Sequence, residues 1–196
     1  MSKFFTKLTL IAILATAFST SVNAQSAGIK TNLLYDATGT VNLGVEAGLA
    51  PKWSLDLSGN FNGWTDKNQI WKHWLFQPEA RYWFCDRFAG HFLGFHAMGG
   101  QFNVGRLKHT ADFLGTPFHI LKQNRAQGWA VGAGIAYGYT WILGKHWNLE
   151  AEIGVGWMHT WYDVYDCAEC ERKIASDRQR NYYGPTKAAV NLVYVF

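Results

Sequence analysis

The chain has 196 residues and a formal charge of +4, with a pI near 8.9. That length suits one domain. Two of the positive charges, Lys3 and Lys7, belong to a leader, so the remainder is nearly neutral and gives no argument for nucleic acid. Aromatic residues make up 16% of the chain, ten of them Trp, yet mean hydropathy is only −0.12. This argues against a helical membrane protein and fits a barrel in which half of each strand is polar.

Residues 1–24 read as a secretory leader. Lys3 and Lys7 are its charged start, Leu8 to Phe18 its apolar core, and Val22-Asn23-Ala24 a small-residue cleavage site before Gln25. The core is short for a bilayer span, so cleavage between Ala24 and Gln25 is expected rather than an uncleaved anchor. No Cys follows it, which argues against lipoprotein processing. The mature domain, residues 25–196, is expected outside the cytoplasm.

A first strand is expected at Ile29–Tyr35, turning at Asp36–Gly39. Val41, Leu43, Val45, Ala47 and Leu49 alternate with Asn42, Gly44, Glu46 and Gly48, and after Ala50-Pro51-Lys52 a matching run begins at Trp53. Together they make a hairpin with one apolar and one polar face. A polar connection, Asn62 to Lys72, leads to a fourth strand in which Trp74, Phe76, Ala80, Tyr82 and Phe84 oppose His73, Gln77, Glu79 and Arg81. His91 to Val104 is a fifth strand whose facing the glycine-rich pattern leaves open. After a break at 105–127 comes Gly128 to Leu143, with bulky residues at every odd position and small ones at the even positions. That period of two excludes an amphipathic helix and makes strand six. Strand seven follows the turn Leu143–His146. A second break spans about Trp161 to Asn181, and a last strand ends the chain at Phe196.

The sum is an all-β chain: an eight-stranded antiparallel up-and-down transmembrane β-barrel after a cleaved signal peptide. Short connections after strands two, four and six oppose long ones after three, five and seven, the asymmetry of an outer-membrane barrel with both termini in the periplasm. Lys30, Glu46, Asp56, Glu79, Arg81, Glu150, Glu152 and Lys187 are expected to form an interior polar network, since charge facing lipid would be expensive. Glu150 with Glu152, and Glu79 with Arg81, read as counter-ions to the basic residues rather than as an acid/base pair. Eight strands enclose an interior filled by side chains, so a plugged barrel is expected and not a pore. Val190, Leu192, Tyr194 and Phe196 alternate onto one face and end on an aromatic, the kind of terminal signal that the outer-membrane insertion machinery reads.

Several groups invite chemistry. Cys167-Ala168-Glu169-Cys170 reads as a local disulfide, because the neighbouring Asp166, Glu169 and Glu171 disfavour the thiolate that redox chemistry needs and too few further ligands exist for zinc. The role of Cys85 stays open. Seven histidines and Ser54 and Ser58 raise a hydrolase, but no Gly-x-Ser-x-Gly elbow occurs and no catalytic residue is nominated. No cofactor and no metal site is expected. Arg106, Lys108, Lys122 and Arg125 make connection 105–127 basic, which suits either lipopolysaccharide phosphates or plain solvation. Phe113, Leu114, Phe118 and Ile120 give it an apolar side. The tryptophans near strand ends read as interfacial belts.

The stretches Lys30 to Trp64, Trp71 to Gly105 and Tyr182 to Phe196 (the last reading YYGPTKAAVNLVYVF) resemble the domain-of-unknown-function family three-five-seven-five, across essentially the whole mature chain. The resemblance implies a small OmpA-like barrel in the outer membrane of Bacteroidetes, with an association with fimbrial or surface-structure genes and no agreed catalytic residues. The expected function is structural or surface-interacting, with loops presented outward to outer-membrane lipid, lipopolysaccharide or a surface protein partner. The alternatives are an outer-membrane lipid-modifying enzyme of the lipid A deacylase or palmitoyltransferase kind, and a soluble periplasmic lipocalin-like binder.

Overall fold

The computed structural model describes residues 27–66, 69–106, 124–167 and 172–196. The leader with its Ala24/Gln25 junction, most of connection 105–127 and Cys170 lie outside the described residues. Among the described residues eight strands form the wall, in chain order: β1 (Ala27–Asn32), β2 (Val41–Ala50), β3 (Trp53–Asn62), β4 (Gln69–Trp83), β5 (Gly90–Gly105), β6 (Arg125–Ile142), β7 (Trp147–Tyr165) and β8 (Lys173–Val195), with the two-residue strand Thr65–Asp66 paired to the start of β4. Each pairs antiparallel with its sequence neighbour, and β1 pairs with β8, so the sheet closes into a ring. The last bond of that seam runs from the Phe196 amide to the Ala27 carbonyl at 2.9 Å. The expected all-β, eight-stranded up-and-down architecture is what the chain adopts. Among the described residues no helix is long and apolar enough to cross a membrane, which does not bear on crossing by strands.

Strand length departs from the uniform ten residues or so expected from the pattern. β1 has 6 residues and β8 has 23. Two segments read as connections, Asn62–Lys72 and 161–181, are mostly paired strand: Gln69–Lys72 opens β4, and β7 and β8 run on as a long hairpin. Both faces of such an arm can be polar when no core lies behind them, so the apolar alternation that marks a strand is missing there. β1 stops early because the Asn32 side chain accepts the Leu34 amide at 3.1 Å and caps a single helical turn, Leu33–Ala37.

Facing is consistent around the ring. Even-numbered residues point inward on β1, β2, β3, β5, β6 and β7, and odd-numbered residues do so on β4. On β5 this places Phe92, Gly94 and His96 inside and Leu93 and Phe95 outside, which answers the facing that the sequence left open. On β6 the glycines and Ala126, Ala130 and Ala136 face inward, and Trp129, Val131, Ala133, Ile135, Tyr137 and Trp141 outward. On β8 a bulge between Pro185 and Lys187 reverses the parity, so that Lys187, Ala189, Asn191, Val193 and Val195 face the interior.

The interior is layered. Near the short-turn end Trp83, Phe88, Phe92, Val193 and Val195 form an apolar plug, with Trp83 and Phe92 ring centroids 4.8 Å apart. Phe88 sits at φ 61° in the β4–β5 turn, and its carbonyl accepts from Asn148 Nδ2 at 2.9 Å. Above the plug lies a charged layer. The small inward residues make room for it: a Cβ at Gly94 would stand 2.6 Å from the Glu79 carboxyl carbon, and one at Gly44 would stand 2.7 Å from the Lys30 stem.

Candidate functional site

The charged layer is centred on Arg81 of β4, which has no solvent exposure. Its Nε donates to Glu79 Oε1 at 2.6 Å, Nη1 to Glu46 Oε2 and Glu150 Oε2 at 2.8 Å each, and Nη2 to Glu152 Oε2 at 2.9 Å. Asp56 Oδ2 lies 3.5 Å from Nη2, and the guanidinium carbon stands 4.4 Å from the Phe92 ring centroid. A guanidinium presents five N–H donors in one plane, so a single Arg can satisfy carboxylates arriving from several strands.

Two lysines complete the layer. Lys30 Nζ lies 2.8 Å from Glu46 Oε2 and 3.1 Å from Asp56 Oδ2. Lys187 Nζ lies 2.7 Å from Glu79 Oε2 and 3.0 Å from Glu152 Oε1. The structure thus brings together all eight residues of the interior set, Lys30, Glu46, Asp56, Glu79, Arg81, Glu150, Glu152 and Lys187. Six of the eight strands supply a charge. Of the other two, β6 gives Thr140, bonded to Glu150, and β5 gives His96, 3.8 Å from Glu79.

Neutral partners the sequence reading passed over finish the network. Asn191 Nδ2 donates to Glu150 Oε1 at 2.7 Å, Ser54 Oγ donates to Glu46, and Trp83 Nε1 donates to Ser54 Oγ at 2.8 Å. Asn191 shares the inward parity of Lys187, and that parity was the signal available for it. Five carboxylates face three permanent cations here, so removing any one cation leaves buried charge without compensation. Above the layer is a cavity of about 20 Å³, lined in part by Asp56, Gln77 and Asn60. It has room for about one water molecule.

The groups that invited catalysis fall elsewhere. Ser54 is bound to Glu46, and Ser58 Oγ donates to the Gln77 carbonyl at 3.2 Å. His96 Nε2 meets Thr186 Oγ1 at 2.9 Å with Glu79 behind it, a hydroxyl–imidazole–carboxylate line whose His and Glu side chains have no exposure. His91 lies outside, hydrogen-bonded to Tyr137. Cys167 is disulfide-bonded, and Cys85 is a free, exposed thiol in the β4–β5 turn. Among the described residues no group of three or more His, Cys, Asp or Glu is placed to hold a metal ion.

The outer surface is the second feature. Cross-strand partners carry an aromatic row around it: Phe61 faces Trp74, Trp74 faces Gln101, Gln101 faces Trp129, and Trp129 faces Trp161. Trp74 and Trp129 meet edge to face at 5.6 Å, and Trp74 Nε1 donates to Gln101 Oε1 at 2.9 Å. Toward the short-turn end a second group holds Trp53, Tyr82, Tyr139, Trp141, Trp147 and Tyr194, with Trp147 and Tyr194 centroids 5.0 Å apart. Between the two groups the outward side chains are apolar and bare: Val45, Phe95, Ile135, Ile153 and Val155 are all exposed, Ile153 by 61%. A concavity of about 370 Å³ opens at the long-strand end, lined by Phe61, His73, Phe102, Trp129 and Tyr165 among others.

Compared with known families, residues 9–196 match the family described as "Protein of unknown function (DUF3575)", and the chain belongs to that family. Neither a curated protein nor a solved structure was found to match it.

Proposed function

We propose that this chain is an outer-membrane β-barrel of Gram-negative bacteria that acts as a rigid support for surface interactions rather than as a pore or an enzyme. The observation that carries the reading is the exposed apolar band between two aromatic groups. Trp129 and Tyr139 on β6 bracket it, and Trp147 and Trp157 on β7 repeat the same spacing four residues nearer the short-turn end. At about 3.4 Å per residue and a tilt near 40°, each pair is roughly 26 Å apart along the barrel axis, close to the ~25 Å apolar band of an outer-membrane barrel. A soluble barrel would hide such a band and expose its ions; here Ile153 is bare and Arg81 sealed.

In this setting both termini and the short turns lie in the periplasm, residues 1–24 direct export, and Phe196 closes the segment that the insertion machinery reads. The extended β7–β8 arm and connection 105–127 face the exterior, toward lipopolysaccharide or a protein of the cell surface. An association with surface or fimbrial structures belongs to the same proposal. The ion layer and the apolar plug support a closed interior. In the Thr186–His96–Glu79 line the imidazole and the carboxylate are sealed from the surroundings, which weighs against a lipid-modifying enzyme. An ionic interior weighs likewise against a lipocalin-like binder.

The test is expression of the full chain in a Gram-negative host, followed by fractionation and heat-dependent gel mobility. The protein should sediment with outer membranes, resist carbonate extraction and migrate differently before and after boiling. Recovery from the soluble periplasm would overturn the proposal.

A further inference from the structure

The seam between β1 and β8 is unequal. Their ladder begins at Gly28 with Val195 and stops at Asn32 with Asn191, while β8 continues back to Lys173. Above Asn191, and among the described residues, the β1 side of β8 therefore has no strand partner. For its first few residues that side is guarded. Asn32 Oδ1 accepts the Val190 amide at 3.3 Å and Asn32 Nδ2 donates to the Ala188 carbonyl at 3.4 Å, so one side chain imitates a strand. Then Pro185 removes a donor and the bulge beside it bends the edge, two devices that block strand addition.

Beyond those guards the edge changes character. From Arg178 to Tyr183 the register with β7 is unbroken, Tyr162 opposite Arg178 through Trp157 opposite Tyr183. The next irregularity comes only at Asp177, with φ 52° and a shift of register. Six regular residues make a strand of ordinary length, and alternate residues of an edge turn their N–H and C=O groups outward. In the proposed orientation this stretch rises through the outer aromatic border toward the exterior, with Tyr183 opposite Trp157 and Gln179 opposite Trp161, whereas the guarded part lies at membrane depth, where free backbone groups are costly.

We propose that the Arg178–Tyr183 edge of β8 is a docking site for an extended, acidic segment of another polypeptide, which adds to the sheet as a further strand. Arg178 and Arg180 share one face of this stretch and favour carboxylates across from them. The same two residues disfavour a second copy of this chain, because a continuous two-fold sheet would set the arginines of both copies on one face. The proposal rests on the outward orientation above and names the partner chemistry for that end of the barrel.

The test uses the mature chain refolded in detergent micelles and a blocked peptide of about nine residues alternating Glu with Val or Thr. Saturating peptide should slow amide exchange about tenfold at alternate residues of Arg178–Tyr183. Methylating alternate backbone nitrogens of the peptide should abolish binding in one phase and spare it in the other. Arg178→Glu, at an exposed site, should weaken the Glu peptide about tenfold and strengthen its Lys counterpart. Unchanged exchange at saturation, equal tolerance of both methylation phases, or protection that rises with protein concentration alone would each overturn the proposal. Micelles make this outcome independent of where the protein resides in the cell, so the orientation can fail without the docking edge failing.

Discussion

Arg81 on β4 donates to Glu150 on β7 at 2.8 Å, although β5 and β6 separate the two strands in the wall. The contact crosses the interior. Strand pairing alone would leave the cylinder free to flatten, and this bond with its neighbours sets the distance between opposite walls.

Replacing Arg81 should therefore be among the most damaging single changes. Arg81→Met leaves Glu46, Glu79, Glu150 and Glu152 without their shared donor and should cost about 3–5 kcal/mol. Arg81→Lys keeps the charge but not the planar fork and should recover only part of the loss. Urea unfolding of the refolded protein, followed by tryptophan fluorescence, measures both. A loss under about 1 kcal/mol for the Met variant would show that the layer contributes little.

Gly94 should tolerate no side chain. A Cβ there meets the Glu79 carboxylate at 2.6–2.9 Å, and that carboxylate is held by both Arg81 and Lys187. Gly94→Val should destabilise by about 1–3 kcal/mol through overpacking. The comparison is Gly99→Val, where nothing lies within 4 Å of the added atom. Similar midpoints for the two variants would mean that the interior can yield at Gly94.

Charge on the outward band should be penalised by depth. Ile135→Arg, near the middle of the band, should cost about 2–4 kcal/mol in a bilayer, while Tyr139→Arg, at its aromatic border, should cost about 0–1. Folding into vesicles at graded urea concentrations reads the difference. Equal costs for the two positions would remove bilayer depth as the cause.

The β7–β8 arm carries its own titration. Asp163 accepts Lys173 Nζ at 2.6 Å and the Asp177 amide at 3.0 Å, and these bonds, that from Lys173 first, hold its carboxyl below the usual range. A carboxyl depressed on folding contributes order above its ordinary pKa and loses it as pH falls through the depressed value. The Asp177 amide should thus stay protected at neutral pH and through the ordinary carboxylate range, and open only under stronger acid. Side-chain NMR titration of Asp163 checks this; a midpoint at or above the ~3.9 of a model Asp would count against it.

The barrel was legible where one face is greasy and the other is not. The alternation at 128–143 announced a two-sided strand, and the charged residues of β2, β3, β4 and β7 share its polar parity. Where alternation fades, the sequence said less. Gln69–Lys72 is too short to show a period, and at 161–167 and 172–181 polar residues fall on both faces, so nothing distinguished these segments from loops. The Pro185–Lys187 bulge inverts parity within β8, and Asn32 ends β1 by capping a turn that reads as extended chain. The facing of β5 is settled by its register with β4, His96 opposite Glu79 and Gly94 opposite Arg81, a relation between strands that no single stretch records.

The ionic layer also bears on how the molecule is assembled. Lys30 arrives with the first strand and Lys187 with the last, while the acids they neutralise stand on strands between. An open arc lacking either end would hold unbalanced acids against whatever surrounds it, so a partly built wall gains little until its two margins meet. Sealing the seam and neutralising the centre are then one event, and a chain shortened at either terminus should fail to mature rather than form a looser cylinder.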